Sequence, residues 1–195
     1  MTNIIIFGPP GSGKGTQAEF IINKLNLVHI STGDIFRKNI SNKTKLGILA
    51  TKYISKGQLV PDELTIDLLE NELDKHPNSN GFIFDGFPRT IPQAEAFENL
   101  LIKKNMYLSM LLSLEVSEIE LIARLLKRGS ISGRSDDRNE SIIKNRIKVY
   151  NEQTSILKKY YLKKSGDIFH YIDGEKSIEN ISYNIQNLIN THIKL

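Results

Sequence analysis

Residues 4–17, IIIFGPPGSGKGTQ, put glycines and a lysine directly behind a short apolar run. Gly8, Gly11 and Gly13 permit backbone conformations closed to residues with a Cβ, so successive N–H groups can turn inward on an anion. A helix opening near Lys14 would add the positive end of its dipole. Lys14 would then reach outer phosphates as a point charge, with a hydroxyl beside it for phosphate or a phosphate-bound cation. The general phosphate-loop pattern, G-x-x-x-x-G-K-[ST], places that hydroxyl directly after the lysine. Here Gly15 stands in that place and the hydroxyl follows one step later, at Thr16. A Gly-rich turn that merely joins a strand to a helix is the plainer alternative; strand, glycines and lysine in the required order argue against it.

Residues suited to phosphate recur downstream. In FDGFPRTIPQ, Asp85 ends an apolar run, where a carboxylate is costly unless it has a task such as ordering water on a divalent cation. Arg89 can fork onto a phosphate, which a lysine cannot do, and the Gln93 amide can both donate and accept. Singly, Arg89 reads as a surface ion pair and Gln93 as a solvated helix residue; their joint occurrence with Asp85, Gly86 and Pro88 makes that reading poor. Arg124 and Arg128 stand at i, i+4 and share a helix face. Arg134 lies in a short Gly, Ser and Arg stretch, RGSISGRSDDRN, and Arg146 follows on the next helical segment. STGDIFRKN offers Thr32 and Arg37, although residues 31–34 alone read as an ordinary helix cap. A solvated charged face is the usual meaning of such cations and accounts for Lys127, Arg138 and Lys144. Magnitude separates the readings. One arginine at a transferring phosphoryl group gives roughly 10³ to 10⁵ in rate, about 4 to 7 kcal/mol, whereas an exposed surface pair contributes on the order of 0 to 1 kcal/mol.

These side chains need a scaffold that brings them together. Apolar runs at 3–7, 28–31, 82–85, 109–116 and 168–172 are near-continuous, as expected for strands buried on both faces. Helix-period segments at 16–25, 63–75, 92–103, 117–127 and a long 140–164 lie between them. That alternation predicts a parallel α/β sheet with right-handed crossovers. About fifty largely helical residues separate the second and third strands, far more than a crossover requires. With the stretch between 127 and 140, they read as two mobile flaps over the carboxyl edge of the sheet, where such folds bind ligands.

The 195 residues suit one domain. Hydrophobic residues at 39% and charged residues at 25%, without linker or low-complexity block, mark an ordinary globular chain. There is no cysteine, which excludes a disulfide framework and a cysteine-based zinc site. The histidines at 29, 76, 170 and 192 are scattered and read as structural or surface residues. The first apolar run is too short for a signal-peptide core, and none approaches the roughly 18 apolar residues of a membrane span, so the cytoplasm is expected. A net charge of +4 suits either nucleic acid or an anionic small substrate; the arginines gather near phosphate-type motifs, which favours the substrate.

The spelling G-x-P-G-x-G-K-G-T, with its displaced hydroxyl, is that of the nucleoside monophosphate kinases. Over nearly its full length the chain resembles the adenylate kinase family in its short-lid form. The resemblance implies a P-loop NTPase three-layer fold with a five-stranded parallel sheet in a single domain over 1–195, a helical excursion over 31–60 that binds the nucleoside monophosphate, and a short lid over 128–138. It implies reversible transfer of the terminal phosphoryl of Mg-ATP to AMP, giving two ADP. Gly11, Ser12, Gly13, Lys14, Gly15 and Thr16 would hold ATP together with Arg124, Arg128 and the backbone around Lys176 in DGEKS. AMP would meet Thr32, Arg37, Gln58, Leu59, Val60, Gly86, Phe87, Pro88, Arg89, Gln93, Arg134 and Arg146, with Gln93 on the edge of the base. Lys14, Arg89, Arg124, Arg128, Arg134 and Arg146 would carry catalysis, and Asp136 and Asp137 would help close the lid. Mg²⁺ would come on the nucleotide phosphates, helped by Thr16 and Asp85, with no protein cage. The implied protein is a monomer without nucleic-acid or membrane partners. Eight residues separate Asp137 from Arg146, one more than in the family forms, which shifts Arg146 by one position; Asn145 cannot replace it.

Three rival readings differ at specific residues. A UMP/CMP kinase shares the phosphate loop and GRSDD but carries Ala where Thr32 stands and Asn in place of Gln93. A signalling GTPase would need Asn-Lys-x-Asp and Asp-x-x-Gly motifs, and neither occurs. An RNA-binding module would interleave exposed aromatics with Lys and Arg, whereas the Tyr and Phe residues fall mostly in apolar runs.

Overall fold

The computed structural model describes residues 1–193, so the last two residues of the expected 1–195 domain lie outside the described residues. Strands β1 (Thr2–Phe7), β2 (Val28–Ser31), β3 (Gly81–Asp85), β4 (Met110–Glu115) and β5 (Phe169–Asp173) form one parallel sheet in the order β2-β3-β1-β4-β5. The β-branched run at the centre of β1 explains its place in the middle of the sheet. Side chains alternate in a strand, so Ile5 and Phe7 join Phe84 and Leu111 on one face while Ile4 and Ile6 join Ile83 and Leu112 on the other. Both faces are thus apolar and both need covering.

Helices α1 (Lys14–Leu25) and, near the carboxyl end, α9 (Ile178–His192) cover the second face with Ala18, Ile21, Ile181, Ile185 and Ile189. The first face is covered by α4 (Asp62–Asp74), α5 (Ile91–Lys103) and α8 (Ile156–Ser165), through Leu69, Leu73, Ala94, Phe97, Leu157 and Tyr161. Phe97 stands edge-on to both Phe84 and Phe87, with ring centroids 4.7 and 5.4 Å away. No described helix is long and apolar enough to cross a membrane.

Two excursions rise beyond the carboxyl ends of the strands. Helices α2 (Thr32–Ser41) and α3 (Lys45–Ile54) close a small core of their own, in which Phe36 and Ala50 meet Val60 and Leu68. Gly47 lets these helices touch: a Cβ there would lie 2.1 Å from the Asn39 carbonyl oxygen. Helices α6 (Glu118–Ser132) and α7 (Glu140–Val149) pack through Leu121, Leu125, Ile143 and Ile147. Between them runs a short loop with a 3₁₀ turn at Ser135–Asp137.

Two sequence expectations are corrected here. The helical segment expected over 117–127 continues to Ser132, so residues 128–132 of the expected lid are helix and only the following residues form a loop. The segment expected as one helix over 140–164 is α7 and α8 joined by a π-helical turn at Tyr150–Thr154, closed by a Ser155 N–H bond to the Tyr150 carbonyl.

Candidate active site

Because the strands are parallel, their carboxyl ends converge, and the residues after β1, β2 and β3 open onto a single cavity of about 790 Å³. Every candidate site residue expected from the sequence lines this cavity except Asp137, which is fully buried behind its wall.

The phosphate loop connects β1 to α1. Gly11 and Gly13 have φ of 87° and 93°, conformations that other residues rarely adopt. The Lys14 ammonium folds back over the loop and donates to the carbonyls of Gly8 at 2.8 Å and Pro9 at 2.9 Å. Burial pushes its pKa down to about 8; Arg89, Arg128 and Arg146 push the same way, and Asp85 pulls against them. Ser12 is buried with its hydroxyl unpaired, and Thr16 lies on the cavity wall. At the end of β3, burial works to raise the Asp85 pKa, but His29, Lys14 and Arg89 outweigh it and hold the carboxylate below its usual range. His29 Nε2 lies 3.7 Å from Asp85, which gives this residue a place in the site that its isolation in the sequence concealed. Among the described residues no group of three His, Cys, Asp or Glu could cage a metal. One largely enclosed carboxylate, Asp85, beside a phosphate loop suits a divalent cation that arrives already bound to phosphates.

Arg89 is held at three points. Its Nε donates to the Gly86 carbonyl at 2.6 Å, its N–H to Gln93 Oε1 at 2.8 Å, and its carbonyl accepts from the Thr154 hydroxyl at 2.8 Å. Its Nη groups make no hydrogen bond among the described residues, and Arg89 lines the cavity. Burial lowers its pKa to about 10, with further lowering by Arg146 and Arg37. Thr154 reaches Arg89 from the π-helical turn, where the widened backbone aims it inward; such turns recur at functional sites. Nothing in the sequence marks that turn.

Two carboxylates each grip a pair of arginines from separate elements. Asp137 accepts from Arg128 Nε at 2.6 Å and Nη2 at 3.1 Å, and also from Arg146. Burial works to raise its pKa, but the Arg128 hydrogen bond and the charges of Arg146 and Arg128 prevail and hold it below the usual carboxylate range. Asp136 adds a bond to Arg146 at 3.1 Å. Asp34 on α2 accepts from Arg37 and, across the mouth of the cavity, from Arg134 at 3.2 Å. Arg146 lines the cavity, while Asn145 donates instead to the Lys56 carbonyl at 2.6 Å.

The two ends of the cavity differ. Towards α9, Arg124 Nη1 donates to the Gly174 carbonyl at 2.9 Å and Gln17 Nε2 to that of Ile178 at 3.2 Å, which pins the loop carrying Lys176. Towards α2, Thr32 is buried and donates to the Gly86 carbonyl at 2.8 Å, beside Gln58, Leu59, Val60, Phe87 and Pro88. Ser31, not Thr32, caps α2, accepting from the Asp34 N–H at 3.3 Å. Gln93 is less free than expected. It is 1% exposed, accepts from Arg89 and donates to Asp62 Oδ1 at 2.7 Å, so half of its hydrogen-bonding capacity is already used within the protein. Sequence reading missed Asp62 because it lies 31 positions away.

Asp137→Asn would leave Arg128 and Arg146 without their shared partner, at an expected cost of about 2–4 kcal/mol near neutral pH. Because the folded pKa is depressed, the stabilisation is present above the usual carboxylate pKa and is lost as pH falls through the folded value. Thermal unfolding of both proteins across pH should therefore show a gap that narrows below about pH 4; a gap independent of pH would contradict the assignment.

Comparison with known proteins agrees with this geometry. A family model described as adenylate kinase matches residues 6–166. The adenylate kinase of Flavobacterium psychrophilum is 50% identical over 190 residues, covering 97% of this chain and 99% of its own. That of Bacteroides fragilis is 51% identical over 191 residues, covering 98% and 100%. The Azobacteroides pseudotrichonymphae enzyme of the same name is 52% identical over 185 residues, covering 95% of each chain. The chain belongs to the adenylate kinase family.

Proposed function

We propose that this chain catalyses the reversible transfer of the terminal phosphoryl group of Mg-ATP to AMP, giving two ADP. The observation that carries the reading is that one cavity holds a phosphate loop with Lys14 at one wall and, facing it, a guanidinium group, Arg89, fixed beside an amide-lined pocket. A triphosphate on the loop and a monophosphate on Arg89 would meet between them. The Lys176 loop, pinned by Arg124, would receive the donor base, with Arg124 also near the donor phosphates; Thr32, Val60 and Gln93 would receive the acceptor base.

The acceptor phosphate is itself the nucleophile, so no protein side chain needs to become covalently attached. The work of the protein is positioning, electrostatic stabilisation and exclusion of water. Lys14, Arg128, Arg134 and Arg146 would neutralise the charge spread over the transferring group, and Arg89 would align the attacking oxygen. The donor is the magnesium salt, whose cation draws charge from the phosphates; Thr16 and Asp85 are the residues that would meet its hydration shell. Closure of the α2–α3 excursion and of the loop carrying Arg134 would keep the phosphoryl group from water.

The same reading makes the protein a cytoplasmic monomer with no nucleic-acid or membrane partner; six of its seven arginines, all but Arg138, line the cavity, as a small anionic substrate would require. The test is ADP formation from Mg-ATP with AMP, UMP or CMP offered separately. Preference for AMP is expected; preference for UMP or CMP would keep the mechanism and overturn the acceptor pocket. Lys14→Ala should lower kcat by about 10²–10³-fold while the fold survives, and near-normal turnover in that variant would remove the loop from the reaction.

A further inference from the structure

Asp62 does not itself line the cavity, yet it bonds to Gln93, which does, and so bears on what the cavity presents to an acceptor base. Its Oδ1 accepts from Gln93 Nε2 at 2.7 Å, and its Oδ2 accepts from the Thr90 hydroxyl at 3.0 Å. The Thr90 oxygen in turn accepts from the Gln93 N–H at 3.2 Å, as the N-cap of α5. On its other side the Gln93 side chain accepts from the Arg89 N–H at 2.8 Å. An ionised carboxylate can only accept and a backbone N–H can only donate. The amide is therefore held one way round: its NH₂ must face Asp62 and its oxygen must face Arg89. Turning it over would set oxygen against carboxylate and NH₂ against N–H.

One N–H and one oxygen lone pair of Gln93 remain, in a fixed order. Adenine offers a ring-nitrogen acceptor beside an exocyclic amine donor, and a 6-oxopurine offers the same two functions reversed, as a ring N–H beside a carbonyl oxygen. An amide free to turn matches either base; an amide locked in one sense matches only one. We propose that Asp62 is a positioning residue that, through Gln93, makes the acceptor pocket select adenine over 6-oxopurine nucleotides. The proposal rests on the reading of AMP as acceptor given above.

Asn at position 62 fills the same space but removes the sign of the constraint. The Thr90 hydroxyl still needs an acceptor, so the Asn oxygen turns to it and the Asn NH₂ turns to Gln93, where it opposes the orientation that the Arg89 N–H alone still supports and leaves the amide free to turn. The experiment measures kcat and KM for AMP and for inosine monophosphate, with saturating Mg-ATP, in the natural chain and in Asp62→Asn. The ratio of kcat/KM values, AMP over inosine monophosphate, should fall by about tenfold or more, through a raised KM for AMP with kcat changed little. A merely structural role would lower both kcat/KM values together and leave the ratio alone, which would overturn the proposal. Should Asp62→Asn melt early, Asp62→Ser gives the same readout with a shorter side chain. If the natural chain fails to phosphorylate AMP at all, the acceptor reading fails and this inference falls with it. If AMP is used well and the ratio does not move, only the role of Asp62 is lost.

Discussion

Mutual repulsion among cations in a poorly solvated cavity is the constraint on which the rest of this structure depends. Lys14 and the arginines at 37, 89, 128, 134 and 146 share one space, and burial together with the neighbouring guanidinium charges lowers the pKa of Lys14 and of Arg89. A chain that left these groups unpartnered would open the cavity to water. The answer lies in the carboxylates: Asp137 ties Arg128 of α6 to Arg146 of α7, and Asp34 ties Arg37 of α2 to Arg134 beyond α6. Such pairs add little net stability because desolvation offsets attraction, but they fix where each guanidinium points.

The fold supplies the rigid part of that arrangement. Parallel strands with two apolar faces bring three loops to one edge, and helices cover both faces. The two excursions are joined to each other across the cavity by an ion pair. Asp34 and Arg134 bridge the excursion after β2 to the loop after α6, through half-exposed groups whose pairing is weak enough to exchange for phosphate. On the proposed reading, the phosphates of a substrate would compete for the same guanidinium groups that these pairs orient.

Much of this was legible in the sequence, since phosphate loops and continuous apolar strands depend on local order. The strands agree with the apolar runs to within a residue or so. The misreadings share a cause, which is contact between distant residues. Gly129, Ser130 and Ser132 look like helix breakers, yet the helix continues: the serine hydroxyls bond back to the carbonyls of Lys127 and Arg128, and Gly129 is small because the Asp137 carbonyl lies where its Cβ would be. The π-helical turn that delivers Thr154 to Arg89 leaves no trace in residue types. Gln93 reads as an amide available to a base, and only the fold reveals that Asp62 and Arg89 have already oriented it.

The central claim, that the cavity holds cations awaiting phosphate, is tested most directly through the protonation of Lys14. Its pKa, pushed down to about 8 by burial and by neighbouring arginines, must rise when phosphates enter, so nucleotide binding somewhat above that pH must take up a proton. Calorimetric titration with Mg-ADP in buffers of differing ionisation enthalpy reads that uptake. The account predicts uptake in the natural chain and its loss in Lys14→Ala; binding with no proton taken up by the natural chain would contradict it.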